Sequence, residues 1–207
     1  MRSLRFPVAL SALAVCLALS SQARADLIIT VNGATKATDP TNTFANFVGP
    51  VGGFNINNIS MAGVNSFAGN AMLMDNKSMN ISSAGSGALT ILLTETNLTL
   101  GAMARFDGVF TDTITNASVT RSFYLDPSNA GLLTNLLGST TFGSGSFSQV
   151  ASLSGPFSLT EQIVLTATGA GALLSSDDNI RAPEPASLAL LGGGLAAFGL
   201  IRRRRRV

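Results

Sequence analysis

The side chains able to do chemistry in this sequence are carboxylates, a few cations and many hydroxyls. The 207 residues include no histidine, and the one cysteine, Cys16, lies close to the N-terminus. That removes Ser-His-Asp and Cys-His catalysis, His-ligated metals and thiolate zinc sites from the body of the chain. What remains open is carboxylate chemistry: two acids converging in a cleft for hydrolysis, or an oxygen-ligated calcium ion. Glu95 and Glu161 are the only glutamates before Glu184. Arg121 and Glu161 each interrupt an apolar strand face. They read as a buried charged site or as a structural ion pair, and the high cost of unpaired buried charge favours the ion pair. Asp75, Asp107, Asp112, Asp126, Asp177 and Asp178 could supply calcium ligands, but no Asp-x-Asp-x-Asp loop is present and solvated turns are the simpler reading. No catalytic, cofactor-binding or metal-ligating residue is assigned. No cofactor is expected, and the chain is expected not to be an enzyme.

The hydroxyls also need weighing. Threonines alternate at Thr94-Glu95-Thr96, at Thr111 to Thr115 and at Thr166-Ala167-Thr168. Flat Thr-x-Thr arrays can order water as ice-binding surfaces do, yet threonine also favours the solvent face of any strand. Five Asn-x-Ser/Thr triplets, at Asn58, Asn76, Asn80, Asn97 and Asn116, match what chance gives in so Asn- and Ser-rich a chain. There is no Trp, and Tyr124 is the only Tyr, which argues against a sugar-stacking groove. The ten phenylalanines between Phe44 and Phe157 read as core.

The elements that must position these groups are strands. Short apolar runs separated by Gly, Ser, Thr and Asn mark an all-β protein, expected as a β-sandwich. Leu27–Val31 reads as a first strand. Residues 32–70 predict loops and one or two strands, with turns at Asp39-Pro40, Gly49-Pro50 and Gly52-Gly53. Further strands are expected over 88–96, 106–115, 118–125 and 156–168. In the last, Phe157, Leu159, Ile163, Leu165 and Ala167 share one face. One short helix is expected, with Asp126 as N-cap, Pro127 first and Gly138 as the stop, presenting Leu132, Leu133, Leu136 and Leu137 as a stripe. Residues 169–182 read as a last strand fading into a polar linker.

Both ends of the chain carry addresses. Residues 1–25 have the three regions of a secretory leader: Arg2 and Arg5, then an apolar run over Val8–Leu19, then the small-x-small site Ala23-Arg24-Ala25. Cleavage after Ala25 would start the mature chain at Asp26, so Sec-type export machinery and signal peptidase are expected partners. At the other end, Pro183-Glu184-Pro185 is followed by the uncharged apolar run Ala186–Ile201 and then Arg202, Arg203, Arg204, Arg205 and Arg206. The run reads as a single transmembrane helix, and the arginines read as a membrane stop held on the cytoplasmic side. Its 16 residues make about 24 Å of helix, short of the ~30 Å hydrocarbon core. Gly192-Gly193-Gly194 weakens it further as a permanent anchor.

Charge must be read with these ends set aside. The whole chain has formal charge +2, from 13 basic and 11 acidic residues. Three of the basic residues lie in the leader and five in the tail. Between Asp26 and Glu184 only Lys36, Lys77, Arg105, Arg121 and Arg181 face all eleven acids, a balance of −6. An acidic body excludes a nucleic-acid partner, which would call for a basic face.

The order Pro-Glu-Pro, short apolar helix, terminal arginine cluster resembles the PEP-CTERM sorting signal of exported bacterial proteins. The resemblance implies that a membrane protease of the exosortase type recognises and removes the tail. It implies an inner-membrane stage followed by release to the cell surface or outside, in bacteria that make exopolysaccharide and biofilm matrix. Such tails are also labelled an ice-binding-protein C-terminal domain, a label for the tail and not for an ice-binding activity. Ala88-Leu89-Thr90-Ile91-Leu92-Leu93-Thr94 and Pro156-Phe157-Ser158-Leu159-Thr160 are similar to the β-sandwich bodies common in that family. The expected organisation is a leader (1–25), an exported domain (26–182) and a sorting tail (183–207) with its span over 186–201. The expected role is structural or adhesive, with extracellular polysaccharide a candidate partner. A binding module for glycan, calcium or ice is the alternative, and a carboxylate-dependent hydrolase comes third.

Overall fold

The computed structural model describes residues 26–64, 72–141 and 143–182. In chain order the strands are β1 (Leu27–Val31), β2 (Ala34–Asp39), β3 (Phe44–Val51), β4 (Phe54–Ala62), β5 (Met72–Ser83) and β6 (Gly87–Leu98). They continue with β7 (Met103–Thr115), β8 (Ala117–Asp126), β9 (Asn135–Thr141), β10 (Gly145–Ser152), β11 (Phe157–Ala167) and β12 (Leu173–Arg181). Sheet A has the order β2-β1-β6-β11-β8-β9 and sheet B the order β10-β7-β12-β5-β4-β3. All neighbours are antiparallel, and the two sheets enclose one apolar core, which is a β-sandwich.

Period-2 patterning makes this core. In β11 the odd positions Phe157, Leu159, Ile163 and Leu165 are 0–1% exposed. In β7 Phe106 and Phe110 point inward while Val109 and Thr111 face out. Aromatic pairs join the sheets. Phe106 meets Phe157 edge-on at 5.9 Å, and Phe110 stacks on Phe123 at 5.3 Å. Phe147 of β10 wedges beside them, because Gly108 and Gly138 leave room for its ring.

Every connection reverses the chain direction, whether it is a hairpin within a sheet or a crossing between sheets. Odd-numbered strands therefore run away from Asp26 and even-numbered strands return. With twelve strands, the body begins at Asp26 and finishes at Ala182 on the same end of the sandwich. Register agrees: Leu27 lies opposite both Asp39 and Glu95, and Arg181 lies opposite Asp107 and Met72. The connections 40–43, 99–102, 127–134 and 153–156 lie at this exit end. The far end has tight turns such as Asn32-Gly33, whose φ values of 48° and 77° suit a two-residue hairpin.

The structure corrects the sequence reading in four places. The helix over 126–138 is absent, and the described residues contain no α-helix. Asn129 and Gly131 take left-handed φ values of 60° and 70°, which break helical propagation. The Asp126 carboxylate gathers the N–H groups of Ser128, Ala130 and Leu132 into a loop, and the chain then zips onto β8 as the edge strand β9. Of the four leucines only Leu137 is buried. Second, residues 32–64 already hold three strands, β2, β3 and β4, and the sequence reading gave no place to β5 and β10. Third, residues 173–181 form a central strand paired on both sides, so no polar linker precedes Pro183. Fourth, Phe44 is half exposed and lies outside the core. The expected C-terminal transmembrane helix lies outside the described residues.

Candidate functional site

The densest chemistry lies inside the sandwich. Arg121 on β8 reaches across from sheet A and is fully buried. Its Nη1 donates to Glu161 Oε1 at 2.7 Å and also to Asp178 Oδ2, and its Nε donates to Asp112 Oδ2 at 2.9 Å. Nη2 lies 2.7 Å from Asp112 Oδ1, at ion-pair distance but off hydrogen-bonding geometry. Glu161 belongs to β11 of sheet A, whereas Asp112 (β7) and Asp178 (β12) belong to sheet B. One guanidinium thus ties the two sheets together. Asp178 is held further by the Thr111 N–H at 2.7 Å and the Ser176 hydroxyl at 2.9 Å.

One cation faces three carboxylates here, and burial penalises every uncompensated charge. Burial, with Asp178 alongside, pushes the Glu161 carboxyl well above the usual range despite the opposing pull of Arg121. Burial also raises Asp112, against the lowering effect of Arg121. For Arg121, burial opposes its charge, but Glu161, Asp178 and Asp112 more than offset this and raise its pKa. A protonated Glu161 reduces the buried imbalance and can share a hydrogen bond with its neighbours. Arg121 and Glu161 are therefore the ion pair that the sequence indicated, enlarged by Asp112 and Asp178. These two aspartates are strand residues facing inward, not solvated turn residues.

A second buried acid stands apart. Glu95 on β6 is 0% exposed and accepts from Asn42 Nδ2 at 2.6 Å and the Val64 N–H at 2.9 Å. Burial outweighs both hydrogen bonds and pushes its pKa up to about 8. Asn42, at φ 53°, packs over Gly63, where an added Cβ would lie 1.6 Å from the Asn42 side-chain oxygen. Glu95 and Glu161 face inward on neighbouring strands, but neither opens onto a cleft.

The remaining candidates separate. Asp39 and Asp126 serve their own loops: Asp39 accepts from the N–H groups of Thr41, Thr43 and Phe44, as Asp126 does in 127–134. Burial pushes the Asp126 carboxyl up, but the Ser128 hydroxyl and the loop N–H groups outweigh it and bring it down to about 2. Among the described residues no three acids are grouped to hold a metal ion. Thr111, Thr113 and Thr115 are exposed on sheet B, Thr166 is exposed on sheet A, and Thr94 is buried against Thr160, so the threonines form no single array. A shallow depression of about 310 Å³ lies at the far end between Pro50, Asn55, Ser82 and Ala84.

Of the processing residues, Asp26 is described. Its backbone carbonyl accepts from the Thr96 N–H at 3.0 Å, which sets the start of β1 against β6. Ala23, Ala25, Pro183, Glu184, Pro185 and Arg202 to Arg206 lie outside the described residues. The body ends one residue before the tripeptide, since β12 closes at Arg181.

Residues 181–206 match the family model of the PEP-CTERM protein-sorting motif. The chain thus carries a PEP-CTERM sorting tail, which implies export and passage through the membrane toward the cell surface. No curated protein matches the chain. Among solved structures, the chain is similar to the CBM22-1 xylan-binding domain from Paenibacillus barcinonensis Xyn10C, at 12% identity and TM-score 0.34, covering 70% of this chain and 89% of that one. It is also similar to the C-terminal CBM6 domain of the laminarinase LamC from Zobellia galactanivorans, at 14% identity and TM-score 0.27, covering 54% and 95%. The enzymatically active domain of tailspike protein 4 from bacteriophage CBA120 follows, at 11% identity and TM-score 0.33, covering 75% and 19%. Scores this low supply no residue correspondence with a sugar-binding site.

Proposed function

We propose that this is a non-enzymatic exported protein, held transiently in the inner membrane by its tail and then released to the cell surface or extracellular matrix in a structural or adhesive role. The observation that carries this reading is the direct join between body and address. The central strand β12 stops at Arg181, where the sorting-motif match begins, and only Ala182 stands before Pro183. An exosortase-type protease acting at the tripeptide would release the sandwich with its strands intact. The absence of a role in catalysis is supported by the fate of the acids: Asp112, Glu161 and Asp178 are engaged with Arg121 inside the core, where substrate has no access. Replacing Pro183-Glu184-Pro185 by alanines in the native host should retain the chain in the membrane fraction. Release at the normal rate would contradict the reading.

The second reading is an extracellular binding module for glycan, calcium or ice. The far-end depression, lined in part by the polar residues Asn55 and Ser82, is the feature that favours it. Thermal-shift titration with calcium and a glycan-array screen separate the two. A saturable upward shift in Tm or a reproducible array signal would favour the module, and silence in both would favour the structural role.

A further inference from the structure

We infer that the exit end of the sandwich docks on the lipid surface through an apolar rim while the tail is anchored. This rests on the anchoring proposed above. Five of the nine large apolar side chains that are exposed among the described residues gather at this end: Phe44, Met103, Leu132, Leu133 and Leu136, each 38–65% exposed. Phe44 and Met103 open β3 and β7, Leu136 is the second residue of β9, and Leu132 and Leu133 lie in the loop before it. Met103 is on β7, the strand beside β12, and so flanks the point where the tail leaves, while Phe44 stands on the edge strand of the same sheet and the leucines at the edge strand of the other.

The length of the connecting chain fixes the occupant. Pro183-Glu184-Pro185 separate Ala182 from the first residue of the span, and even fully extended they reach about 14 Å. The headgroup layer on one side of a bilayer takes up ~5–8 Å of that. A span of about 24 Å, shorter than the hydrocarbon core, draws the tripeptide deeper still. The exit end therefore cannot stand clear of the lipid. Its loop is also built for that contact: Asp126 turns the N–H groups of Ser128, Ala130 and Leu132 inward, which leaves the leucine side chains facing out. Backbone groups satisfied within the protein are what a lipid-facing loop requires, and exposed leucine and phenylalanine are the side chains that enter the headgroup–acyl boundary.

The test uses the chain from Asp26 to Val207 reconstituted in phosphatidylethanolamine–phosphatidylglycerol vesicles. Its body has no cysteine, so Leu132→Cys, Leu136→Cys and Leu173→Cys each provide a unique site for an environment-sensitive fluorophore. Leu173 is the matched control, 49% exposed at the far end. Doxyl-labelled lipids should quench positions 132 and 136 about threefold more than position 173, and the effect should survive high salt because the contact is apolar. Vesicle flotation in parallel reports anchoring by the tail. Flotation with equal quenching at all three positions overturns the docking and leaves the anchoring reading intact. A blue-shifted probe at 132 and 136 without lipid quenching also overturns it, and assigns the rim to a second copy of the chain. A chain that does not float overturns both.

Discussion

Replacing Arg121 by leucine should be among the most damaging single changes available to the body. The substitution removes the one cation that faces Asp112, Glu161 and Asp178, all of them buried. Losing one partner of a buried ion pair costs about 3–5 kcal/mol, because the remaining charge is stranded away from water. Here two aspartates are stranded and one glutamic acid loses its hydrogen-bond partner. Against a total stability of roughly 5–15 kcal/mol, that is a large share. For a domain of this size each kcal/mol moves Tm by ~2–4 °C, so the expected drop is roughly 6–20 °C near neutral pH. Glu161→Gln provides the internal contrast. Burial and Asp178 push the Glu161 carboxyl far above its usual range, so a neutral amide of the same shape should cost less than about 1 kcal/mol. Differential scanning calorimetry of the three proteins at pH 7 measures both effects. An Arg121→Leu Tm within about 2 °C of the parent would refute the claim that the guanidinium ties the sheets together. A Glu161→Gln loss as large as that of Arg121→Leu would refute the assignment of the proton to Glu161.

Glu95 sets a pH dependence with a definite sign. Its folded pKa is raised from 4.5 to about 8, so the folded state holds a proton that the unfolded state releases. Stability should therefore be greatest below about pH 4.5 for this group and decline toward pH 8, by at most ~1.4 kcal/mol per pH unit. Urea melts should show Glu95→Gln flattening that decline without abolishing it, since the raised Glu161 carboxyl acts in the same direction. Asp39 and Asp126 act oppositely: their folded pKa values are depressed, so their contribution is lost as pH falls below about 4. A melt series should then place the optimum near pH 4–5. Gly138→Ala should cost ~1–3 kcal/mol, because its Cβ would lie 2.3 Å from the Phe147 ring, and a chemical-denaturation midpoint equal to the parent's would count against that wedge.

The strands legible in the sequence are those whose inward residues are large and regular. β6, β7, β8 and β11 all alternate Leu, Ile, Val or Phe with polar residues, and each emerges close to its expected bounds. β5 hides because Met74, Met79 and Ile81 are spaced by Asp75, Asn76, Lys77 and Asn80, and a bulge where it pairs with β4 breaks its period. The second half of β12 reads as linker because Asp177-Asp178-Asn179 has the composition of a turn. Asp178 is buried only because Arg121, 57 positions away, comes to meet it. The Arg121–Glu161 pair could be inferred from two charges that interrupt apolar faces. Asp112 gave the same signal, since it shares the inward face of β7 with Phe106 and Phe110, but it stands among threonines that suggested solvent. The false helix has its own cause. Asp126-Pro127 imitates an N-cap and the leucine spacing imitates a stripe, while the left-handed Asn129 carries no mark in the sequence beyond being an asparagine.

The central claim is that the tail is an address and not a permanent anchor. Intact-mass spectrometry of the protein recovered from its native host tests it most directly. The account predicts a mature chain that begins at Asp26 and ends in the Pro183-Glu184-Pro185 region. Such a chain carries an acidic excess because the leader and the arginine block are gone. A mature population that is membrane-bound and still carries Arg202 to Arg206 would contradict it.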